Sequence, residues 1–211
     1  MKQTKDYLND ICEIRQIMER SSNFISLSGL SGILAGIYAL IGSYAAYRIV
    51  YIEQSILMAR EVYIDERDTI IKLSIIAAIV LILAVATGLY LTAKKNSKTS
   101  FSFSDPGFRN LLINLIIPLV TGGMCILILV SRGFYSIVAP AFRILDGLSL
   151  INGSKYTVTD IKYLGIVEII LGLICALLPG YGLIFWAVGF GLMHILYGTI
   201  MYFKFDRSKD L

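Results

Sequence analysis

The sequence predicts an all-α polytopic membrane fold, six transmembrane helices paired as three hairpins behind a short amphipathic helix, and three observations carry that prediction. Hydrophobic residues make up 56% of the 211 and charged residues only 16%, with a mean hydropathy of +0.73, which is too apolar for a soluble domain of this length. Six stretches of the chain are nearly free of charge for about twenty residues, the length a helix needs to cross about 30 Å of hydrocarbon. Lys and Arg concentrate in alternate connecting segments, as they do on the cytoplasmic side of a membrane protein.

Residues 1–23 come first. Tyr7, Ile11, Ile14 and Met18 recur at four-three-four spacing among Lys, Asp, Glu and Arg, which predicts an amphipathic cytoplasmic helix. It is too short for a coiled coil, so it is expected to lie on the membrane surface, to cover the cytoplasmic end of the bundle or to meet a partner protein. The first twenty residues carry both signs of charge and no apolar core, so no cleavable signal peptide is expected and the first span serves as its own insertion signal.

The membrane domain is predicted at 24–203, with spans at 24–50, 69–93, 110–131, 133–152, 160–178 and 183–203 and a cytoplasmic tail at 204–211. The fourth span holds Pro140, Arg143 and Asp146, and hydropathy alone is compatible with a re-entrant segment there. The basic residues favour a full crossing. With six spans, the cytoplasmic side collects Lys94, Lys95, Lys98, Arg109, Lys155, Lys162 and the basic residues of both termini, while the outer side holds Arg48, Arg60, Arg67, Lys72 and Arg132. Removing the fourth span would place Lys204, Arg207 and Lys209 outside. In the loops, the acidic outer segment 51–68 reads as solvated extensions of its helices. Ser104-Asp105-Pro106 is a helix start signal, and Leu178-Pro179-Gly180-Tyr181-Gly182 is a tight outer turn.

The even-numbered spans show a faint internal repeat. Pro140-Ala-Phe-Arg143-Ile-Leu-Asp146-Gly147 aligns with Gly191-Leu-Met-His194-Ile-Leu-Tyr197-Gly198, and Ala84 and Gly88 take the same two places in the second span. Among the odd spans, Gly29 and Gly36 match Gly165 and Gly172, while the third span, with Pro118 and Gly122-Gly123, matches poorly. A true repeat predicts three hairpins whose equivalent faces meet at the centre.

Four ionisable residues lie inside these spans: Arg143, Asp146, Glu168 and His194. A charge at the middle of a bilayer costs about 2.5–3.5 kcal/mol on insertion scales, so such groups pair, turn inward and mark function. Helix rise places all four in the cytoplasmic half, Glu168 about 12 Å in from Asp160. Three of them sit on stripes of small residues: Gly165, Glu168, Gly172 and Ala176; Gly191, His194 and Gly198; Pro140, Arg143 and Gly147. Two readings stay open. In a structural lock, Arg143 neutralises Asp146 or Glu168 and His194 bonds the remaining carboxylate. In a transport or sensing site, histidine and carboxylate at matched depth pass a proton or hold a cation. Close packing of helices is expected at Ser28, Gly32 and Gly36 in the first span, at Gly165 and Gly172 with Ala176 and Gly180 in the fifth, and at Gly191 and Gly198 in the sixth.

Other classes are excluded by what is missing from the sequence. Cys12, Cys125 and Cys175 are too far apart to suggest a disulfide framework or zinc site, and no metal or cofactor is expected. The net charge of +4 belongs to loops and tails, which speaks against nucleic acid as a partner. Gly180-Tyr181-Gly182 lacks the Thr-Val that precedes it in a potassium filter, and no hydrolase motif is present.

The last hairpin, Leu164-Gly165, Ile169-Ile170-Leu171-Gly172, Leu177-Leu178-Pro179-Gly180-Tyr181-Gly182 and Gly189 through Gly198, resembles the repeated hairpin of HdeD-type acid-resistance membrane proteins. The start, Ile14-Arg15-Gln16-Ile17-Met18-Glu19-Arg20-Ser21-Ser22-Asn23-Phe24 and Ser26-Leu27-Ser28-Gly29-Leu30, resembles an uncharacterised group of bacterial six-span proteins. The resemblance implies a bacterial inner-membrane protein with both termini cytoplasmic, tied to envelope or acid stress, and it transfers no site residues. The cluster at Arg143, Asp146 and Glu168 departs from the plainly apolar HdeD pattern. The expectation is a non-enzymatic structural or regulatory membrane protein whose partners are the lipid bilayer and either a second copy or a protein met by the N-terminal helix. The alternative is a small proton- or cation-coupled transporter or channel.

Overall fold

The computed structural model describes residues 28–53, 66–96 and 106–206. The predicted N-terminal helix, most of the acidic outer loop, the Ser-rich inner loop and the end of the tail lie outside the described residues. Every described element is helical. In chain order they are α1 (Gly29–Tyr47, continued by a π-helical turn, Arg48–Glu53), α2 (Glu66–Asn96), α3 (Pro106–Ser131), α4 (Tyr135–Gly153), α5 (Asp160–Leu177) and α6, one helix over Gly182–Asp206. Among the described residues, four stretches are long and apolar enough to cross a membrane: Gly29–Val50, Thr69–Lys95, Gly107–Ser131 and Gly182–Asp206. The shorter α4 and α5, of 19 and 18 residues, carry Arg143, Asp146 and Glu168.

Two turns at one end of the helices need backbone that only glycine adopts without strain: Gly133 between α3 and α4 has φ of 79°, and Gly180 between α5 and α6, after Pro179, has φ of 94°. Pro118 inside α3 has no N–H to give to the carbonyl one turn earlier, and α4 satisfies that segment instead. Asn152 donates from Nδ2 to the Asn114 carbonyl at 3.1 Å and to Asn114 Oδ1 at 3.0 Å, and the Ser149 hydroxyl donates to the Leu115 carbonyl at 2.8 Å. This ladder fixes α3 against α4.

Two glycine seams hold the centre, and they are copies of one another. Between α4 and α5, a Cβ at Gly147 would come 2.6 Å from the Gly165 carbonyl oxygen, and a Cβ at Gly165 would come 2.6 Å from that of Gly147. Between α6 and α1, a Cβ at Gly198 would come 2.6 Å from Ile33 N and 2.8 Å from Gly29 O, and one at Gly29 would come 2.6 Å from Gly198 O. Gly172 lies against Ile144 just as Gly36 lies against Ile195, and Ile144 and Ile195 hold the same place in the sequence repeat. Small residues let these backbones approach closely.

The repeat stops at those two seams. Gly88 in α2 has nothing within 4 Å of a Cβ built there. α2 lies against α1 through Val80 and Ile76 at Gly42, and turns much of its apolar surface outward. The glycine seams join α4 to α5 and α6 to α1, so they run between the expected hairpins rather than inside them. The stripe expected at Gly172, Ala176 and Gly180 is not a packing face: Ala176 is exposed and Gly180 belongs to the turn. The buried face of α5 is instead Ile161, Leu164, Gly165, Glu168, Gly172 and Cys175.

At the end of the bundle where α1 begins, Asp206 is a clasp. Its Oδ2 accepts the Gly29 N–H at 2.9 Å and the Ser28 hydroxyl at 3.5 Å, satisfying the first turn of α1, and its Oδ1 pairs with Lys95 of α2. Ser28 therefore serves as a polar anchor for this clasp. Lys204 reaches the N-terminus of α5 through Asp160 at 3.0 Å.

Candidate functional site

Arg143 leaves α4 on the same face as Pro140 and Gly147, where the α4–α5 seam brings the two backbones close. Glu168 faces it from α5, between Gly165 and Gly172. Arg143 Nη2 lies 3.0 Å from Glu168 Oε2, and the side chains are 1% and 0% exposed, so the pair is sealed from solvent. Their contact is one of charge and proximity: the guanidinium nitrogens and both carboxylate oxygens lack well-aligned hydrogen bonds. Glu168, and not Asp146, is thus the carboxylate paired with Arg143.

The third member comes from α6. His194 places Nδ1 3.0 Å from the Gly189 carbonyl oxygen and 3.7 Å from Glu168 Oε1. The π-helical turn Ala187–Met193 lies just before it, a widened stretch of the kind that recurs at functional sites. Gly189 is essential to the geometry because a Cβ there would fall on the Arg143 guanidinium. Phe190 completes the site. Arg143 lies 5.6 Å from the Phe190 ring centroid, and the His194 ring stacks on the same Phe190 ring at 5.6 Å and 28°. Phe142 and Trp186 meet Phe190 edge-on.

Asp146 stands apart. It continues the α3-facing stripe of Ser149 and Asn152 and lines a cavity of about 10 Å³ with Leu119, Gly122, Gly123, Phe142 and Leu145, room for about one water. Its Oδ2 is buried without a hydrogen bond. Of the four ionisable residues marked in the sequence, Arg143, Glu168 and His194 converge between α4, α5 and α6, and Asp146 lies toward α3. The reason is helical phase, since residues three apart diverge by about 60° around the axis, enough to put Arg143 and Asp146 on different neighbours.

No protein-family model, curated protein or solved structure matches this chain. The site's chemistry therefore stands on its own geometry. Among the described residues no three His, Cys, Asp or Glu side chains converge as a metal would need. The arrangement ties three helices through a cation, an anion and an imidazole. Sequence reasoning missed Gly189 and Phe190. Gly189-Phe190-Gly191 is visible in the chain, but an aromatic between glycines is common in apolar helices, and only the approach of α4 shows that a guanidinium fills the empty place.

Proposed function

We propose that this chain is a six-span membrane protein with a structural or regulatory role and no catalysis, in which Arg143, Glu168 and His194 lock α4, α5 and α6 together. The observation that carries this reading is the sealed 3.0 Å contact between Arg143 and Glu168, with exposures of 1% and 0%, because a transport pathway needs its charged groups open to water on at least one side. The small cavity lies on the α3 side, at Asp146.

Support for α4 and α5 as spans comes from their aromatic ends. Exposed Tyr135 and Tyr181 lie near one end of the helices, and exposed Tyr163 and Tyr202 near the other, where interfacial rings belong. The charge bias supports cytoplasmic termini in a bacterial inner membrane, and the resemblance of the last hairpin to HdeD-type proteins supports an envelope or acid-stress setting. The N-terminal segment is the proposed contact for a partner protein or a second copy. Attaching a reporter in turn to each loop tests the layout: the loop 154–159 must report cytoplasmic and the turn 178–182 external.

The deciding experiment is proton and cation flux into proteoliposomes carrying a pH-sensitive dye, with the native chain, Glu168→Gln and His194→Ala. No flux from folded protein under either gradient direction upholds the lock. Flux that disappears in both variants transfers the site to the second reading, a small proton- or cation-coupled transporter, which the buried polar atoms lacking aligned hydrogen bonds favour.

A further inference from the structure

We infer that His194 is the group through which this cluster exchanges a proton with its surroundings, that its Nδ1–H is fixed on the Gly189 carbonyl, and that Nε2 is the port. The inference extends the lock reading by assigning a ligand, the proton, to one atom of the same site.

The first step is hydrogen-bond chemistry. A carbonyl oxygen only accepts, so the 3.0 Å contact between His194 Nδ1 and Gly189 O requires the hydrogen on Nδ1. A neutral imidazole has one N–H, and Nε2 is then the bare nitrogen. This is the less common tautomer of a free histidine in water, so the site imposes it. The second step is access. Arg143 and Glu168 are sealed, at 1% and 0% exposed, whereas the His194 side chain is 15% exposed.

The third step is the charge around the ring. α4 presents Arg143 and, further off, Asp146, while α5 presents Glu168 and Cys175. α1 meets this part of α6 with glycine and aliphatic residues, and α6 itself contributes Phe190. Asp146 turns to α3, so Glu168 is the one carboxylate set between the guanidinium and the ring, and a proton at Nε2 is answered by that anion. The same proton leaves Nδ1–H in place, 3.7 Å from Glu168 Oε1, where the imidazolium adds a second cation to the carboxylate that Arg143 already holds.

His194 is the only histidine in the chain, so uniform 15N-histidine labelling of untagged full-length protein in lipid nanodiscs reports this ring alone. At pH 8 we expect Nδ1 in the protonated range and Nε2 in the bare-nitrogen range. Between pH 8 and pH 4, Nε2 is expected to move into the protonated range while the helical circular dichroism holds. A hydrogen found on Nε2 rather than Nδ1 at pH 8 overturns the inference, as does an Nε2 that stays bare until the protein unfolds. Failure of the lock reading is distinguishable, because it shows in the stability of Arg143 and Glu168 variants and leaves the tautomer of the native ring untouched.

Discussion

Neutralising Glu168 exposes the energetics of the site most directly. At 3.0 Å and an effective dielectric constant of about 20, a unit pair interacts by about 5–6 kcal/mol, and the contact lies where water cannot screen it. Much of that attraction offsets the cost of taking two charges out of water, so the pair's net worth is small. Removing one partner is different, because the survivor is then a buried charge with nothing to answer it. For Glu168→Gln, Arg143 has no route to the surface, being 1% exposed and wedged at Gly189. The expected loss is about 3–5 kcal/mol. Arg143→Met strands Glu168 in the same way and costs about the same.

The double variant Arg143→Met with Glu168→Gln removes both charges while keeping volume, and it is expected to be more stable than either single variant. Reversible unfolding in mixed micelles of rising SDS fraction, followed by circular dichroism, measures all four corners of that cycle. A Glu168→Gln variant within about 1 kcal/mol of the native chain refutes the argument, since that is the worth of an exposed pair. Strict additivity refutes it too, because two stranded charges must couple.

Further outcomes follow from the same contacts. Gly189→Ala places a methyl on the guanidinium and is expected to destabilise by about 1–3 kcal/mol, with most of that loss absent in an Arg143→Ala background; an equal loss in both backgrounds would show that the glycine is needed for the π-turn alone. Gly147→Ala and Gly198→Ala sit at equivalent points of the two seams and are expected to cost similar amounts, about 1–3 kcal/mol each. In the same unfolding assay Gly88→Ala and Gly123→Ala, which have open space around the new methyl, are expected to be neutral or to stabilise by up to about 1 kcal/mol. Asp206→Asn weakens the clasp on Gly29 and Lys95; with side chains 13% and 15% exposed, a loss on the order of 1 kcal/mol that shrinks at high salt is expected, and a salt-independent loss would point to packing instead.

The sequence by itself determined the long apolar helices seen among the described residues, because the length and composition of a membrane helix are local properties written in twenty consecutive residues. It also marked Arg143, Asp146, Glu168 and His194, since an ionisable residue inside such a run is conspicuous wherever the helix goes. The match of Gly147 to Gly198 and of Gly165 to Gly29 was visible as well, but not that these four glycines meet across two equivalent seams. Only the tertiary structure decided that Arg143 belongs to Glu168, that Asp146 turns to α3, and that Gly189 gives up its side-chain space to a guanidinium from another helix. Those outcomes depend on which helices are neighbours and on their rotation to within a few tens of degrees. Apolar helices of like composition carry little information about either. Asp206 makes the same point at long range, for nothing near residue 206 says that its carboxylate will cap a helix beginning at Gly29.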